Sequence, residues 1–413
     1  RRGAALTEEP AQTVRLFYVA CPTSLSLQSA NAIQTWNTLR ELRRANPQCL
    51  AVVPRWPGEP SRFGEVGVRH LVRPAVGKLS RLHRTTLWYY IERSLFAAMS
   101  AALALVEGLR GRWLHVVYVR DAVAAFWWAS LFGPVLGLPV IYEAHDLEST
   151  NPSRAMEPWA QGLVRGLDRG ALGRSAFVVS LTEDFRRLLA ERRLRVAHEV
   201  AVIPDAFDEE AFRPGDRRAA RAALGLREEE PLLVYAGMTF AYRGLDRLIS
   251  AFARVKTSHP RALLALVGGR PGEVEGLAAQ ARALGLGDGV RLPGTLPQTD
   301  VLRWLQAADL LLIPDTVSDA SASPLKLFEY LAVERAVVLP DIPALKEVLP
   351  EGLGYYFPRG DEAALASRIL DALGDPQRPS RERAGREAVL PHTYAARAAR
   401  ILAVARAVSS GRG

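Results

Sequence analysis

Two open α/β domains, each a parallel sheet covered by helices, are predicted by three features of this chain. Its 413 residues exceed what one ordinary core holds. Short apolar runs of strand length alternate with helix-length segments along both halves. The alternation restarts after residue 207, where Asp205-Ala-Phe-Asp-Glu-Glu leads into an Arg/Ala helix and Glu228-Glu-Glu-Pro231. These features predict a first domain over residues 1–207, a second over 208–390, and an alanine-rich helix within 391–413.

In the first half, Val14-Arg-Leu-Phe-Tyr-Val-Ala reads as the opening strand. The helix after it is predicted from Ala32 to Arg44, with Ile33, Trp36, Leu39 and Leu42 or Arg43 on one side. Leu50-Ala-Val-Val-Pro, Trp113 to Val119, Val140-Ile-Tyr-Glu-Ala, Ala176 to Ser180 and Val200 to Pro204 follow as strands. Ala122 to Tyr142 carries no charge and is long enough to cross a bilayer. Gly133-Pro134 and Gly137-x-Pro139 would break such a span, so a buried helix to about Phe132, a turn and a strand is the better reading. In the second half, Leu232 to Gly237, Leu263 to Gly269, Val290-Arg-Leu, Leu310 to Pro314 and Ala336 to Pro340 are strands. Helices lie between them at Leu245 to Val255 and Val274 to Leu284. Ligands are expected at the carboxyl ends of the strands.

Composition narrows the function classes. Two cysteines, Cys21 and Cys49, offer no disulfide framework and suit a reducing compartment. Seven scattered histidines show no metal-ligand pair. The net charge is +9, and residues 1–200 alone hold 26 basic and 17 acidic side chains, so the second half is neutral. A basic half invites an anionic partner, but no aromatic-interleaved nucleic-acid motif appears, and none is expected to bind. Arg62 to Arg93 holds Arg62, Arg69, Arg73, Lys78, Arg81, Arg84 and Arg93 around Trp88, Tyr89 and Tyr90. It reads either as a solvated basic face or as a contact for an anionic membrane or lipid-linked acceptor. Arg1 to Thr13 lacks the apolar core of a signal peptide. The expected place is cytoplasmic, peripheral at the inner face of the membrane.

Three stretches of the second half carry chemistry. Gly237-Met-Thr-Phe-Ala-Tyr-Arg-Gly244 ends a strand in glycine and puts Arg243 just before a helix. Gly237 allows close backbone approach, and Arg243 can grip phosphate oxygens. Ser321-Ala-Ser-Pro-Leu-Lys-Leu-Phe-Glu-Tyr-Leu-Ala332 opens a helix, with Ser323 read as its cap and Pro324 as its first residue. The free amides of Leu325 and Lys326 make an anion site, and Lys326 adds charge. Glu329 can accept two hydrogen bonds from vicinal hydroxyls, as a ribose offers. A Lys326–Glu329 surface pair is the plain alternative. Val290-Arg-Leu-Pro-Gly294 ends in a turn that could wall a base at Gly294.

In order, strand-Gly237, Arg243-Gly244, Val267-Gly-Gly, Val290-x-x-x-Gly294, Ala308-Asp-x-x-x-x-Pro314, Ser323 to Ala332 and Ala336-Val-Val resemble the nucleotide-sugar domain of retaining glycosyltransferases of group 1 (family 4). The match extends back through Val202-Ile-Pro, Ser180-Leu-Thr-Glu and Tyr142-Glu-Ala-His-Asp146. The resemblance implies the GT-B fold, with two Rossmann-like domains and a terminal helix crossing back to the first. It implies a metal-independent sugar transfer from a UDP- or GDP-sugar to a hydroxyl acceptor, with no cofactor. Glu329 matches the second glutamate of an E-x7-E motif and would bind ribose. Arg243 and Lys326 would neutralise the leaving diphosphate, and His145 would face the donor sugar.

The chain departs from that pattern at Ser321, where the first glutamate is expected, and at Met238. Asp319 or Ser321 would then hold the sugar hydroxyls. Ser29-Ala-Asn-Ala32 replaces the first domain's glycine-rich loop, and Asn31 and Arg120 are further cleft candidates. Two rival readings follow: a nucleotide-sugar epimerase of the same fold, and an inactive nucleotide-binding module. Neither half has G-x-G-x-x-G after its first strand, which disfavours a dinucleotide oxidoreductase.

Overall fold

The computed structural model describes residues 13–73, 86–150, 158–316 and 323–411. They form two compact units. One holds the chain up to Ser180, Arg186–Ile203 and the residues from Arg397 onward; the other holds Leu181–Phe185 and Pro204–Ala396.

The first unit is built on seven parallel strands in the order β3-β2-β1-β4-β5-β6-β7. These are β1 (Leu16–Val19), β2 (Leu50–Arg55), β3 (Arg69–Val72), β4 (Val116–Val119), β5 (Val140–Ala144), β6 (Phe177–Ser180) and β7 (Val200–Val202). Every residue of β1, β4 and β5 is buried, because helices cover both faces of a parallel sheet. The strand order reverses between β1 and β4, and that switch point opens a crevice at the strands' carboxyl ends. The helix Tyr394–Ser410 closes this unit: Ala398, Ile401, Leu402 and Ala405 pack into the core around Leu16, Tyr18 and Ile203.

The second unit repeats the plan with six parallel strands, in the order β10-β9-β8-β11-β12-β13. They are β8 (Leu232–Ala236), β9 (Leu263–Val267), β10 (Val290–Gly294), β11 (Leu310–Leu312), β12 (Ala336–Pro340) and β13 (Tyr355–Phe357). Its switch point lies between β8 and β11. Phe207 belongs to this unit's core, and the chain passes into the unit at Ile203/Pro204.

Several local expectations change. The helix Ala30–Ala45 buries Gln34, Thr35, Asn37 and Thr38 with Leu39 and Leu42, while Ile33 and Trp36 sit half-buried. Its inner face is polar because it meets Arg120. The helix from Ala122 does not stop at Phe132; it continues to Leu136 and ends at Gly137 in the left-handed conformation. A π-helical turn over Trp128–Phe132 lets Pro134 stay in the helix, since the wider turn shifts the hydrogen bonds that proline would break. This helix is too short to span a bilayer. Among the described residues one helix, Leu87–Leu109, is long and apolar enough for that by length and composition.

The basic stretch from Arg62 to Arg93 is no uniform solvated face. Lys78, Arg81 and Arg84 lie outside the described residues. Arg73 pairs with Glu92, and Arg93 is buried with Asp121 3.7 Å away.

Candidate active site

In the second unit, three strand ends and one helix start meet. β8 runs into Gly237, whose φ of 142° is open only to glycine. A side chain there would also collide with a neighbour: its Cβ would lie 2.9 Å from Lys326 Nζ. Gly268, at the end of β9, packs so tightly that a Cβ would fall 2.3 Å from the carbonyl oxygen of Gly237. Gly294 closes β10 at φ 71°, and its carbonyl accepts from Gly268 N at 2.8 Å. β10 thus runs through Pro293-Gly294, and the glycines form a backbone surface without side chains.

The helix Leu325–Ala332 supplies the charge. Leu327, Phe328, Tyr330 and Leu331 bury it in the core, and Glu329 alone of its last six residues is partly exposed. Tyr330 pins it to the end of β8: its hydroxyl accepts from Ala236 N at 2.7 Å and donates to Ala236 O at 3.3 Å. That anchor sets Lys326, one turn earlier, over Gly237. The cap differs from expectation. Pro324, with extended ψ, holds the N-cap position, and Ser323 makes no cap bond. The Ser323 hydroxyl accepts from Asp205 N at 3.3 Å instead. A proline cap offers no side-chain acceptor, so the amides of Leu325 and Lys326, which have no intrahelical acceptor, face outward. Asp319 and Ser321 lie outside the described residues.

Lys326 is buried, and its ammonium stands 3.9 Å from the centroid of the Tyr235 ring. Among the described residues, no carboxylate forms an ion pair with Lys326 or Arg243. Arg243 ends a 3-10 turn, Ala241–Arg243, with Gly244 left-handed behind it. Its guanidinium lies 5.0 Å from the Tyr242 ring centroid, and its Nε is buried without a hydrogen-bond partner. Burial, and then repulsion from Arg243, hold the Lys326 amine well below its usual range; Glu329 opposes the shift. Crowding around the Glu329 carboxyl pushes its pKa up to about 7, with Lys326 lowering it and Asp205 raising it. Two basic side chains, two outward amides and an acid that titrates near neutrality therefore share one corner. Such a corner can hold an anion with hydroxyls beside it.

Asp315 follows β11 and faces two arginines, Arg247 Nη2 at 2.5 Å and Arg359 Nε at 2.7 Å. Its carboxylate is spent holding the strand end. No group of three metal-ligating side chains occurs among the described residues.

In the first unit, Arg120 and His145 come together at the ends of β4 and β5. Glu143 is fully buried, and its Oε1 lies 2.9 Å from Arg120 Nε, 2.6 Å from Arg397 Nη2 and 2.8 Å from His145 Nε2. Tyr118 donates to its other oxygen. Arg120 also reaches Thr35 Oγ1 at 2.5 Å, Gln34 and, at 3.0 Å, His145 Nε2. Burial and Arg120 push the His145 pKa down, against Glu143. Asn31, one turn before Thr35, keeps a buried Oδ1 without a partner. Sequence reading missed Glu143, Arg397 and the Gln34/Thr35 pair. Four polar positions, Gln34, Thr35, Asn37 and Thr38, among the inward-facing residues of the helix were the available signal.

Residues 216–389 match the family model of glycosyl transferases group 1. The D-inositol 3-phosphate glycosyltransferase of Segniliparus rotundus is 30% identical over 210 residues, 48% of this chain and 47% of that protein. Its counterpart in Frankia alni is 28% identical over 326 residues, 75% of each chain. The chain spans about half the length of the first curated relatives it matches. Among solved structures, sucrose-phosphate synthase from Thermosynechococcus elongatus superposes at TM-score 0.76 over 96% of this chain and all of that one, with 20% identity. Anabaena HepE, solved with UDP, does so at 0.72 over 95% and 100%, with 16% identity. The fold is GT-B. Residues 216–389 are thus similar to the group 1 glycosyltransferases.

Proposed function

We propose that this chain is a retaining glycosyltransferase that moves a sugar from a UDP- or GDP-sugar to a hydroxyl acceptor. One observation carries the reading: Lys326 and Arg243 lack carboxylate partners among the described residues and flank the outward amides of Leu325 and Lys326. A nucleoside diphosphate supplies the missing anion, and Glu329 takes its ribose hydroxyls. When the sugar–phosphate bond breaks, its electron pair passes to the departing phosphate oxygen. The two cations and the helix amides stabilise that charge without reorganising. In a retaining transfer the acceptor hydroxyl bonds to the sugar on the face the diphosphate leaves, and its proton goes to a diphosphate oxygen. An anionic acceptor, such as the inositol phosphate named for the curated relatives, suits the positive excess of residues 1–200.

The test is product analysis. The protein is incubated with UDP- and GDP-sugars and phosphorylated polyol acceptors, and the products are read by NMR. Release of nucleoside diphosphate with a new glycoside of unchanged anomeric configuration is expected. An inverted glycoside, or an isomerised sugar formed without acceptor, would overturn the reading.

A further inference from the structure

The helix Thr86–Leu109 has its polarity turned inside out. Its charged residues, Glu92, Arg93 and Glu107, are all buried, as is Ser100. Glu92 pairs with Arg73, Arg93 lies against Asp121, and Glu107 meets Arg69 at 2.9 Å. The outward side carries only hydrocarbon: Leu87, Ile91, Leu95, Leu105, Val106 and Leu109 are exposed, with Ala98 and Ala102 between them. At 1.5 Å per residue this stripe runs for about 33 Å. The helix Ala122–Leu136 packs alongside, locked by Trp127 Nε1 on Ser94 at 2.7 Å and Trp128 Nε1 on Ser100 at 2.9 Å. It adds Leu131 and Val135, the latter 74% exposed, and carries no charge of its own. An apolar face continuous over two helices is not ordinary solvent surface.

Its rim is positive. Arg110 and Arg112, 63% and 66% exposed, share the single buried Glu107 with Arg69, which leaves two positive charges uncompensated at that end. Beyond the Ala122–Leu136 helix, the helix Pro158–Arg174 exposes Arg165 and Arg169, while its Asp168 is turned inward to the amides of Glu148 and Ser149.

We propose that this face docks the protein on a bilayer surface containing anionic lipid, with the Leu87–Leu109 stripe lying in the interface plane. The hydrocarbon enters the headgroup–acyl boundary, and the arginine rim meets the anionic headgroups. The helix lies on the membrane and does not cross it. A span would strip Glu92, Arg93 and Glu107 of their partners and leave three charges in hydrocarbon. Its N-terminal half also touches the strand-end crevice of its own unit, since Arg93 donates to Cys21 O at 3.3 Å and Tyr89 to Glu148 at 3.2 Å. A docked bilayer would thus lie beside that crevice. The inference concerns the surface alone and does not depend on the transfer reaction.

Co-sedimentation of the full chain with vesicles tests it. Phosphatidylcholine alone is compared with phosphatidylcholine containing phosphatidylglycerol, at low and high salt. Binding to the anionic vesicles is expected. The bound fraction should fall at least tenfold in Leu95→Glu/Leu105→Glu, and become less salt-sensitive in Arg110→Gln/Arg112→Gln. A milder pair, Leu105→Ala/Leu109→Ala, should bind more weakly while keeping the wild-type circular dichroism. Leu390→Glu, at an exposed leucine of the other unit, should change nothing. No wild-type binding at low salt, or binding indifferent to all the helix variants, would overturn the proposal. So would a dimer in sedimentation velocity that Leu95→Glu/Leu105→Glu splits while vesicles go unbound, since the face would then serve a second copy.

Discussion

Replacing Lys326 with methionine is expected to cut sugar transfer about 10²–10³-fold while leaving the fold at least as stable as before. The two effects have opposite signs for one reason. In the free protein the ammonium is buried against the Tyr235 ring with no carboxylate pairing it among the described residues, and Arg243 repels it. Its folded-state pKa is depressed below the unfolded value, so below the usual lysine range the unfolded chain takes up the proton more readily. Falling pH therefore costs stability at this position, and methionine removes that cost. A residue that only held the fold together would lose stability and activity in parallel. Steady-state turnover and urea unfolding of wild type and Lys326→Met measure the two effects. Unchanged turnover in Lys326→Met would remove this residue from the reaction.

The second large effect is structural. Glu143→Leu is expected to destabilise the first unit by at least about 3–5 kcal/mol, the cost of breaking a buried ion pair, because it strands two buried guanidiniums together. Domains hold only about 5–15 kcal/mol in all, so the variant should melt near room temperature or fail to fold. Burial opposes ionisation of Glu143, but Arg120 and Arg397 outweigh it and hold the carboxyl well below the usual range. An acid whose folded pKa is depressed stabilises above its unfolded pKa and loses that contribution as pH falls through the folded value. Acid unfolding of the wild type should therefore report this cluster. Arg397 stands on the terminal helix, 254 residues beyond Glu143, so the pair also ties that helix to β5. Urea unfolding followed by circular dichroism gives the answer; a loss under about 1 kcal/mol would mean that the cluster relaxes or hydrates.

The strands were readable because parallel sheets are covered on both faces, so Leu16–Val19 or Leu263–Val267 show as unbroken apolar runs. β3, Arg-His-Leu-Val at a sheet edge, has no such run and escaped notice. The helix Thr86–Leu109 escaped for the opposite reason: hydrocarbon covers its outer face as well as much of its inner one, so no helical period stands out. The helix through Pro134 defeated a sound local rule, because a π-turn rearranges the bonds on which the rule depends. In the candidate site, the placement of Gly237 and Arg243 after a strand end and of Lys326 and Glu329 at a helix start was legible in local patterns. Ser323 was assigned the wrong partner, since its hydroxyl reaches Asp205 across 118 positions. Glu143 was hidden because nothing in Val-Ile-Tyr-Glu-Ala shows that its partners come from β4 and the far end of the chain.

The central claim is that the corner formed by Gly237, Arg243 and the start of the Leu325–Ala332 helix binds a nucleoside diphosphate through Glu329. Titration calorimetry with UDP, GDP, ADP and TDP, on wild type and Glu329→Ala, tests it most directly. The account predicts tight binding of one diphosphate, weakened about 10–100-fold by the substitution. It also predicts that wild-type binding weakens from pH 8 to pH 6, as Glu329 takes up a proton near 7 and can no longer accept from both ribose hydroxyls. No diphosphate binding, or binding that ignores Glu329, would contradict it.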